Sequence, residues 1–332
     1  MKRALVIGID DYGDPELNLE GCVADAAAIT EKLEANGNGD PNFDIITLRS
    51  DKESVTTEVM DEAVTKLFKA GKCETAVLYF AGHGLLDAET NRGYLVSQDG
   101  KKGSPGLALA DVINLANEAH SSIDSTVIIL DSCHAGFVGE LPGLGNSAVS
   151  VIGKGVTILA AADRDQSADE YNGHGLFTSI LLDGLSGSAA DILGRITPAS
   201  LYSLVDQTLG GWEQRPVYKA NVQNFITLRE VQEKVPRDVL RKLKDYFPTS
   251  GHMFPVDPSF EEARGEFAEK YKDIPVIPEN FAIFREMQAY FKVNLVVPVD
   301  QPFPWHAAMH STGFRLTAQG AHYRRLAADK RF

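Results

Sequence analysis

The chain has 332 residues, 44% hydrophobic and 23% charged, the balance of a globular protein with one large domain and an appendage or two medium ones. Its formal charge of −14 has the wrong sign for general nucleic-acid binding, which relies on Lys and Arg. No apolar run approaches the roughly 18 residues of a spanning helix, the apolar part of the opening MKRALVIGID is too short for a secretory signal, and three scattered cysteines (Cys22, Cys73, Cys133) make no disulfide framework; a cytoplasmic protein with neither membrane nor nucleic acid as partner is expected.

In chain order, Lys2–Ile9 reads as an apolar strand ending at Asp10. Cys22–Ala35 reads as a helix, with Val23, Ala26, Ala27 and Leu33 at helical spacing, and Phe43–Leu48 as a second strand. Ser54–Ala70 is an amphipathic helix whose apolar stripe is Val55, Val59, Val64, Leu67 and Phe68. Thr75–Phe80 is a strand, Leu107–Ala119 a helix, and Thr126–Leu130 and Val156–Ala161 are further strands. Leu176–Leu185 and Pro198–Leu209 read as helices and Val217–Leu228 as a last strand. Continuous apolar strands separated by helices predict an α/β fold with a parallel sheet covered on both faces. In such sheets sites form at the carboxyl ends of the strands. Asp10, His83, Cys133 and Asp163 all fall at such ends.

The composition changes near residue 230. Residues 1–229 hold 17 Lys+Arg against 32 Asp+Glu, hence −15, whereas residues 230–332 hold 15 against 14, hence +1. Nine of the fifteen prolines lie in the second stretch, which marks it as a different kind of structure. A linker is expected around Glu230–Pro236, between a first domain over 1–229 and a C-terminal domain over 237–332. The ending GFRLTAQGAHYRRLAADKRF predicts a strand followed by a helix from Thr317, as in a small α+β domain of winged-helix type.

The chemistry centres on VIILDSCHAG, residues 127–136. A strand of buried type stops at Asp131-Ser132-Cys133-His134. A nucleophilic cysteine must reach the thiolate form and needs an imidazole nearby. A second strand, TAVLYF, runs into Ala81-Gly82-His83-Gly84, and Cys133 follows His83 by 50 residues. The glycines beside His83 let a substrate backbone approach. The N–H groups of Gly84 and Cys133 are the expected donors to the oxyanion of acyl transfer. A cysteine or a histidine alone at a strand end is ordinarily structural; the joint pattern points to Cys133 as nucleophile and His83 as base. His134 faces away if the chain is extended there, His174 in NGHGLF precedes a helix rather than ending a strand, and Ser132 and Cys73 are weaker candidates.

YFAGHG and DSCHAG resemble the paired motifs of the caspase-like cysteine peptidases (peptidase C14), in particular the metacaspase and bacterial orthocaspase branch. ALVIGIDDY, GCVADAAAI, AADRDQSAD, GHGLFTSILLDGL and QRPVY agree as well, so the resemblance extends over residues 1–229. It implies a caspase–hemoglobinase fold, with a mostly parallel six-stranded sheet flanked by helices and the final strand antiparallel. The Gln-Ala-Cys signature of caspases that cut after Asp is absent; Asp131 stands two residues before the cysteine instead. In the metacaspase branch that Asp helps form an acidic specificity pocket, with a second Asp from a Cys-x-x-Asp-Ala stretch, here Cys22-Val-Ala-Asp25-Ala26. Two carboxylates repel each other in an empty pocket, and a bound Arg or Lys relieves this, Arg with a bidentate contact. The expectation is a cysteine endopeptidase acting on protein substrates with exposed Arg, or second Lys.

Cys22 is expected to line that pocket or pack beside it without being reactive. The loop 163–169 resembles a substrate-side loop of the family, which places Asp163 near substrate. Asp163, Asp165 and Asp169 also offer oxygen ligands for an activating Ca²⁺, although they lack the full alternation of an EF-hand and no cofactor is required. Residues 136–154 are the place to look for self-cleavage, with Lys154 the basic residue there. The resemblance further implies a regulated bacterial effector protease in immunity or cell death, with the C-terminal domain engaging an activating or recruiting protein. Two rivals stand beside this reading: a catalytically silent scaffold on the same fold, and a protease with Asp or Asn specificity, which the two carboxylates disfavour.

Overall fold

A computed structural model describes residues 1–87, 92–132, 152–161, 170–171, 174–209 and 216–332. The chain separates into two compact units, Met1–Val231 and Gln232–Phe332.

The first unit begins with β1 (Lys2–Gly8), α1 (Cys22–Glu34), β2 (Phe43–Arg49), α2 (Thr57–Lys69) and β3 (Cys73–Ala81). β4 (Gly84–Asp87), β5 (Arg92–Lys101) and β6 (Ser104–Ala108) follow as an antiparallel side sheet that the sequence reading had not separated from its neighbours. Then come α3 (Leu109–Glu118), β7 (Ile123–Asp131), β8 (Val156–Ala160), the short paired β9 (Glu170–Tyr171) and β10 (His174–Gly175), and α4 (Leu176–Asp183). β11 (Arg195–Ile196), α5 (Pro198–Thr208), β12 (Val217–Ala220) and β13 (Arg229–Glu230) complete the unit.

Among the described residues the central sheet has six strands in the order β12-β8-β7-β3-β1-β2. All neighbours are parallel except β12, which runs antiparallel to β8. Both faces are covered, and the two-residue period of the strands sorts their side chains between them. Leu5, Ile7, Leu78, Phe80, Ile128 and Leu130 face one side and pack with Met60, Val64, Leu67 and Phe68 of α2 and Val112 and Ile113 of α3. Ala4, Val6, Val77, Tyr79, Val127 and Ile129 face the other and pack with Ala26, Ile29 and Leu33 of α1, Phe177, Ile180 and Leu181 of α4 and Leu201 and Val205 of α5. Each Val, Leu, Ile, Phe or Met side chain among them that is removed from water contributes on the order of 1.5–3 kcal/mol. The stripe of α2 differs in part from its expected form: Met60 and Ala63 are buried in it, while Val55 is buried ahead of the helix start, which Thr56 caps.

The expected final strand Val217–Leu228 is shorter, because pairing with β8 stops at Ala220. There the partner runs out: the Asn221 N–H takes the carbonyl of Val156, the first residue of β8, and the Asn221 side chain donates to the Ile152 carbonyl.

The second unit holds α6 (Arg237–Arg241), α7 (Leu243–Tyr246), β14 (Met253–Pro255), α8 (Pro278–Lys292), β15 (Val296–Pro298), α9 (Pro304–Met309), β16 (Gly313–Leu316) and α10 (Ala318–Ala328). The expected strand and helix at the chain's end are β16 and α10, with Thr317 capping the helix by accepting from the Gly320 N–H. The three strands form an antiparallel sheet in the order β14-β16-β15, so its pairs join segments distant in sequence rather than the arms of a tight hairpin. Buried Phe284, Met287, Tyr290, Phe314 and Tyr323 are among the residues of its interior. Among the described residues no helix is long and apolar enough to cross a membrane.

Candidate active site

The parallel register aligns the carboxyl ends of three strands in one row, with Gly8 opposite Ala81 and Ala81 opposite Asp131. Pairing continues just past the strand ends: the Ile9 N–H donates to the Ala81 carbonyl (3.0 Å) and the Gly82 N–H to the Asp131 carbonyl (3.3 Å). Of the sequence-predicted groups, Asp10, His83 and Asp131 stand at or just past this edge. His83 and Cys133 each stand two residues beyond the Ala81–Asp131 pair in sequence; Cys133, His134, Asp163, Asp165 and Asp169 lie outside the described residues.

His83 is held mainly by backbone. Its N–H donates to the Tyr12 hydroxyl (2.7 Å), its carbonyl accepts from the Val96 N–H (3.0 Å), and its ring lies 4.7 Å from that of Tyr12. Gly82 makes the approach possible, since a Cβ there would stand 2.6 Å from the Tyr12 hydroxyl. The His83 Nε2 is 2.7 Å from the Leu17 carbonyl. A carbonyl only accepts, so Nε2 carries the proton and Nδ1 of the neutral ring is the nitrogen left to take one up. Burial pushes the Tyr12 phenol well above its usual range, which keeps it a neutral partner. Gly84 begins β4 opposite Leu95, in a position where the flanking bond runs from the Val96 N–H to the His83 carbonyl. Gly84 is thus in a non-hydrogen-bonded pair, and its own N–H points away from β5.

A second group forms around two carboxylates. Strand parity puts Asp131 on the same face as Val127 and Ile129, under α1 and α4. Asp25 lies on the buried face of α1 with Ala26, Ile29 and Leu33, and it is only 2% exposed, so it is no solvated surface residue. Helix α1 reaches this position because Gly8 lets it come close: a Cβ on Gly8 would stand 2.3 Å from the Cys22 carbonyl. Asp10 fixes the start of α1, its carboxylate accepting from the N–H groups of Cys22 (2.8 Å) and Val23 (3.2 Å). Its place at a strand end is therefore explained by helix capping.

Asp25 Oδ1 is 2.6 Å from Nδ1 of His174, and Asp25 Oδ2 accepts from the Gly175 N–H at 3.2 Å. Asp131 Oδ2 accepts from the Thr178 hydroxyl at 2.6 Å; the Thr178 oxygen in turn lies 2.6 Å from the Tyr79 hydroxyl. Because the carboxylate only accepts, Thr178 donates to Asp131 and receives from Tyr79. A Cβ on Gly175 would lie 3.1 Å from Asp131 Oδ2 and 3.4 Å from Asp25 Oδ2, so both oxygens border the space that this glycine leaves open. Burial raises the Asp25 carboxyl to about 6, with Asp131 pushing the same way and the His174 hydrogen bond opposing. Burial and the carboxylates of Asp10, Asp131 and Asp25 push the Cys22 thiol far up, so Cys22 stays an unreactive thiol beside the pair.

Three members of this group were not singled out as binding residues from the sequence. His174 was weighed only as a base; Thr178 and Tyr79 read as ordinary helix and strand residues. Cys73 is a buried strand residue at the far end of β3. Lys154, the candidate cleavage point, also sits far off. It lies in the exposed turn before β8, next to Gly155, whose carbonyl accepts from Thr126 near the start of β7. Among the described residues no cluster of three or more His, Cys, Asp or Glu side chains is arranged to hold a metal ion.

The model of the caspase domain, peptidase C14, matches residues 1–227. The chain belongs to the caspase-domain family. Its caspase domain spans the sheet, the His83 corner and the carboxylate pair, and membership supports cysteine peptidase activity. A solved structure, a protein of Geobacter sulfurreducens, is similar at 17% identity with a TM-score of 0.49, over 70% of this chain and 99% of that one. A search of curated proteins returns no match.

Proposed function

We propose that the chain is a cysteine endopeptidase that cuts after Arg, with Lys second. The observation that carries this reading is the convergence of two carboxylate oxygens, Asp131 Oδ2 and Asp25 Oδ2, which lie 3.1 and 3.4 Å from where a Cβ on Gly175 would stand. Two negative charges held this close in a buried setting favour a cation between them, and a guanidinium meets two oxygens with its planar fork. Cys133 is the nucleophile. His83 Nδ1 takes the thiol proton as sulfur bonds to the scissile carbonyl carbon, and the N–H groups of Gly84 and Cys133 receive the oxyanion. The carbon–nitrogen bond then breaks, the proton passes from His83 to the leaving amine, and a thioester remains. Water, deprotonated by His83, hydrolyses it and restores the thiol.

In this reading the enzyme is a regulated bacterial effector protease, cytoplasmic, and its second unit engages an activating or recruiting protein. The role assigned to Asp163 is substrate binding, and that of an activating Ca²⁺ site falls to Asp163, Asp165 and Asp169. The test is hydrolysis of fluorogenic peptides ending in Arg, Lys, Asp or Asn, with and without Ca²⁺, by the wild type and by Cys133→Ala. Cleavage after Arg that vanishes in the variant is expected. Cleavage after Asp or Asn alone overturns the pocket assignment, and Arg cleavage that persists in Cys133→Ala overturns the nucleophile.

A further inference from the structure

The carboxylate pair has a cation-forming neighbour that comes from outside the two stretches carrying the acids. His174 opens β10, paired with Tyr171 of β9, one residue before Gly175, where an added Cβ would meet an oxygen of each acid. Its Nδ1 lies 2.6 Å from Asp25 Oδ1, and its side chain keeps 28% exposure, so it stands between the buried acid and solvent. The two oxygens of Asp25 are thereby divided. Oδ1 is taken by the imidazole, while Oδ2 is steadied by the Gly175 N–H and turned toward the space shared with Asp131.

From this division, and resting on the Arg-directed reading above, we infer that His174 is a specificity-determining positioning residue: it clamps Asp25 by one oxygen and so presents the other to the basic side chain of the substrate. Without the clamp a carboxylate can rotate about its last torsion, which has a broad, roughly two-fold profile. It can then offer either oxygen, or bond its own helix surroundings. With the clamp the carboxylate arrives at its partner already oriented, and orientation held before binding is affinity gained at binding.

Only described residues can be placed around Asp25. They are His174 from β10, Asp131 from β7, and Cys22 on its own helix, with Tyr79 of β3 and Asp10 within electrostatic reach of this cluster. The bond from His174 is the side-chain contact that favours the ionised form of Asp25 against burial and against Asp131. Its loss therefore has a defined sign. The acid becomes harder to ionise, and the pH below which a basic substrate binds weakly moves upward from about 6.

The experiment compares His174→Ala and His174→Asn with the wild type on one Arg-ending peptide across pH, with thermal melts to show that each variant is folded. Asn places an amide N–H near the position of Nδ1 and restores the clamp without a titratable ring. For His174→Ala we expect KM to rise about tenfold or more, the scale of a lost hydrogen bond to a charged group. The expected kcat stays within about twofold of wild type, and the pH midpoint of 1/KM shifts upward. His174→Asn should recover most of the lost KM. An unchanged KM in His174→Ala overturns the inference, and so does a lowered KM, which would make His174 an internal competitor for the pocket. A fall in kcat at constant KM overturns it by moving His174 into the chemical step. A folded wild type that cuts only after Asp or Asn fails the specificity reading itself, which separates that failure from failure of the clamp.

Discussion

The two corners of the site are built in opposite ways. The His83 corner is fixed largely by main chain: a carbonyl on Nε2, a phenol on its N–H and strand pairing on its carbonyl. The carboxylate corner is fixed largely by side chains brought from α1, β7, β10, α4 and β3. Main-chain supports survive most substitutions around them, whereas a side-chain network loses a member with each change. On the proposed reading, the base should thus be robust to its neighbours and the pocket sensitive to them.

The largest expected effect tests the first corner directly. His83→Ala should cut kcat/KM by about 10³-fold or more, the range of general acid–base catalysis, with the variant as stable as wild type in a thermal melt. Next comes the pocket. Asp131→Asn and Asp25→Asn should each lower kcat/KM for Arg peptides by about 100-fold, since one partner of a buried charge contact is worth roughly 2–5 kcal/mol. Equal loss on Asp-ending peptides would break the contrast between the corners.

The pH dependence sharpens the same contrast. Asp25 is raised from 3.8 to about 6 in the free protein. On the Arg-directed reading a basic substrate binds its ionised form, so KM should fall as pH rises through about 6 and level off above it. A KM flat from pH 5 to 7.5 would mean that Asp25 does not meet the substrate charge. A smaller effect is expected for Tyr12→Phe. It removes the acceptor of the His83 N–H while the Leu17 carbonyl still holds the ring, for about fivefold in kcat, the scale of one hydrogen bond of about 1 kcal/mol. A drop of several hundredfold would show that His83 has no independent main-chain support.

The smallest effect belongs to neither corner. Gly155 packs by Asp124, seven residues of β7 below Asp131, which is roughly 23 Å of strand. The turn around Lys154 is also tied down, with the Gly153 N–H on the Asn117 side chain and the Gly155 N–H on the Asn221 carbonyl. Lys154→Ala should leave any self-processing pattern on a gel unchanged. Loss of a fragment in that variant would require cleavage of one molecule by another, after the turn has opened.

Much of the architecture was readable from the chain itself because it rests on local pattern. Unbroken apolar runs such as AVLYF and VIIL mark strands buried on both faces, and the polar residue that stops each run marks the edge where a site forms. Asp10, His83 and Asp131 could be placed at strand ends on that ground alone, and the YFAGHG and DSCHAG stretches pointed to the family. The side sheet β4–β6 was less legible, because β4 and β6 are short and all three strands are partly exposed and carry glycine. The early end of β12 was set by where its partner β8 begins, at Val156, which the periodicity of β12 does not announce.

What tertiary structure alone decided is which polar residues meet. Asp25 and Asp131 are more than a hundred positions apart, and so are Asp25 and His174; Thr178 and Tyr79 are separated by nearly as many. The two-residue β10 was not among the expected elements. Sequence determined that α1, β3, β7 and α4 would form, because helix and strand periods are properties of neighbours in the chain. It could not determine that Asp10 would be spent on capping α1, that Gly8 would let that helix descend until Asp25 is 2% exposed, or that His174 would close on the acid. Those outcomes depend on how packed elements divide one small volume, and on the cost of burying a charge there without a partner.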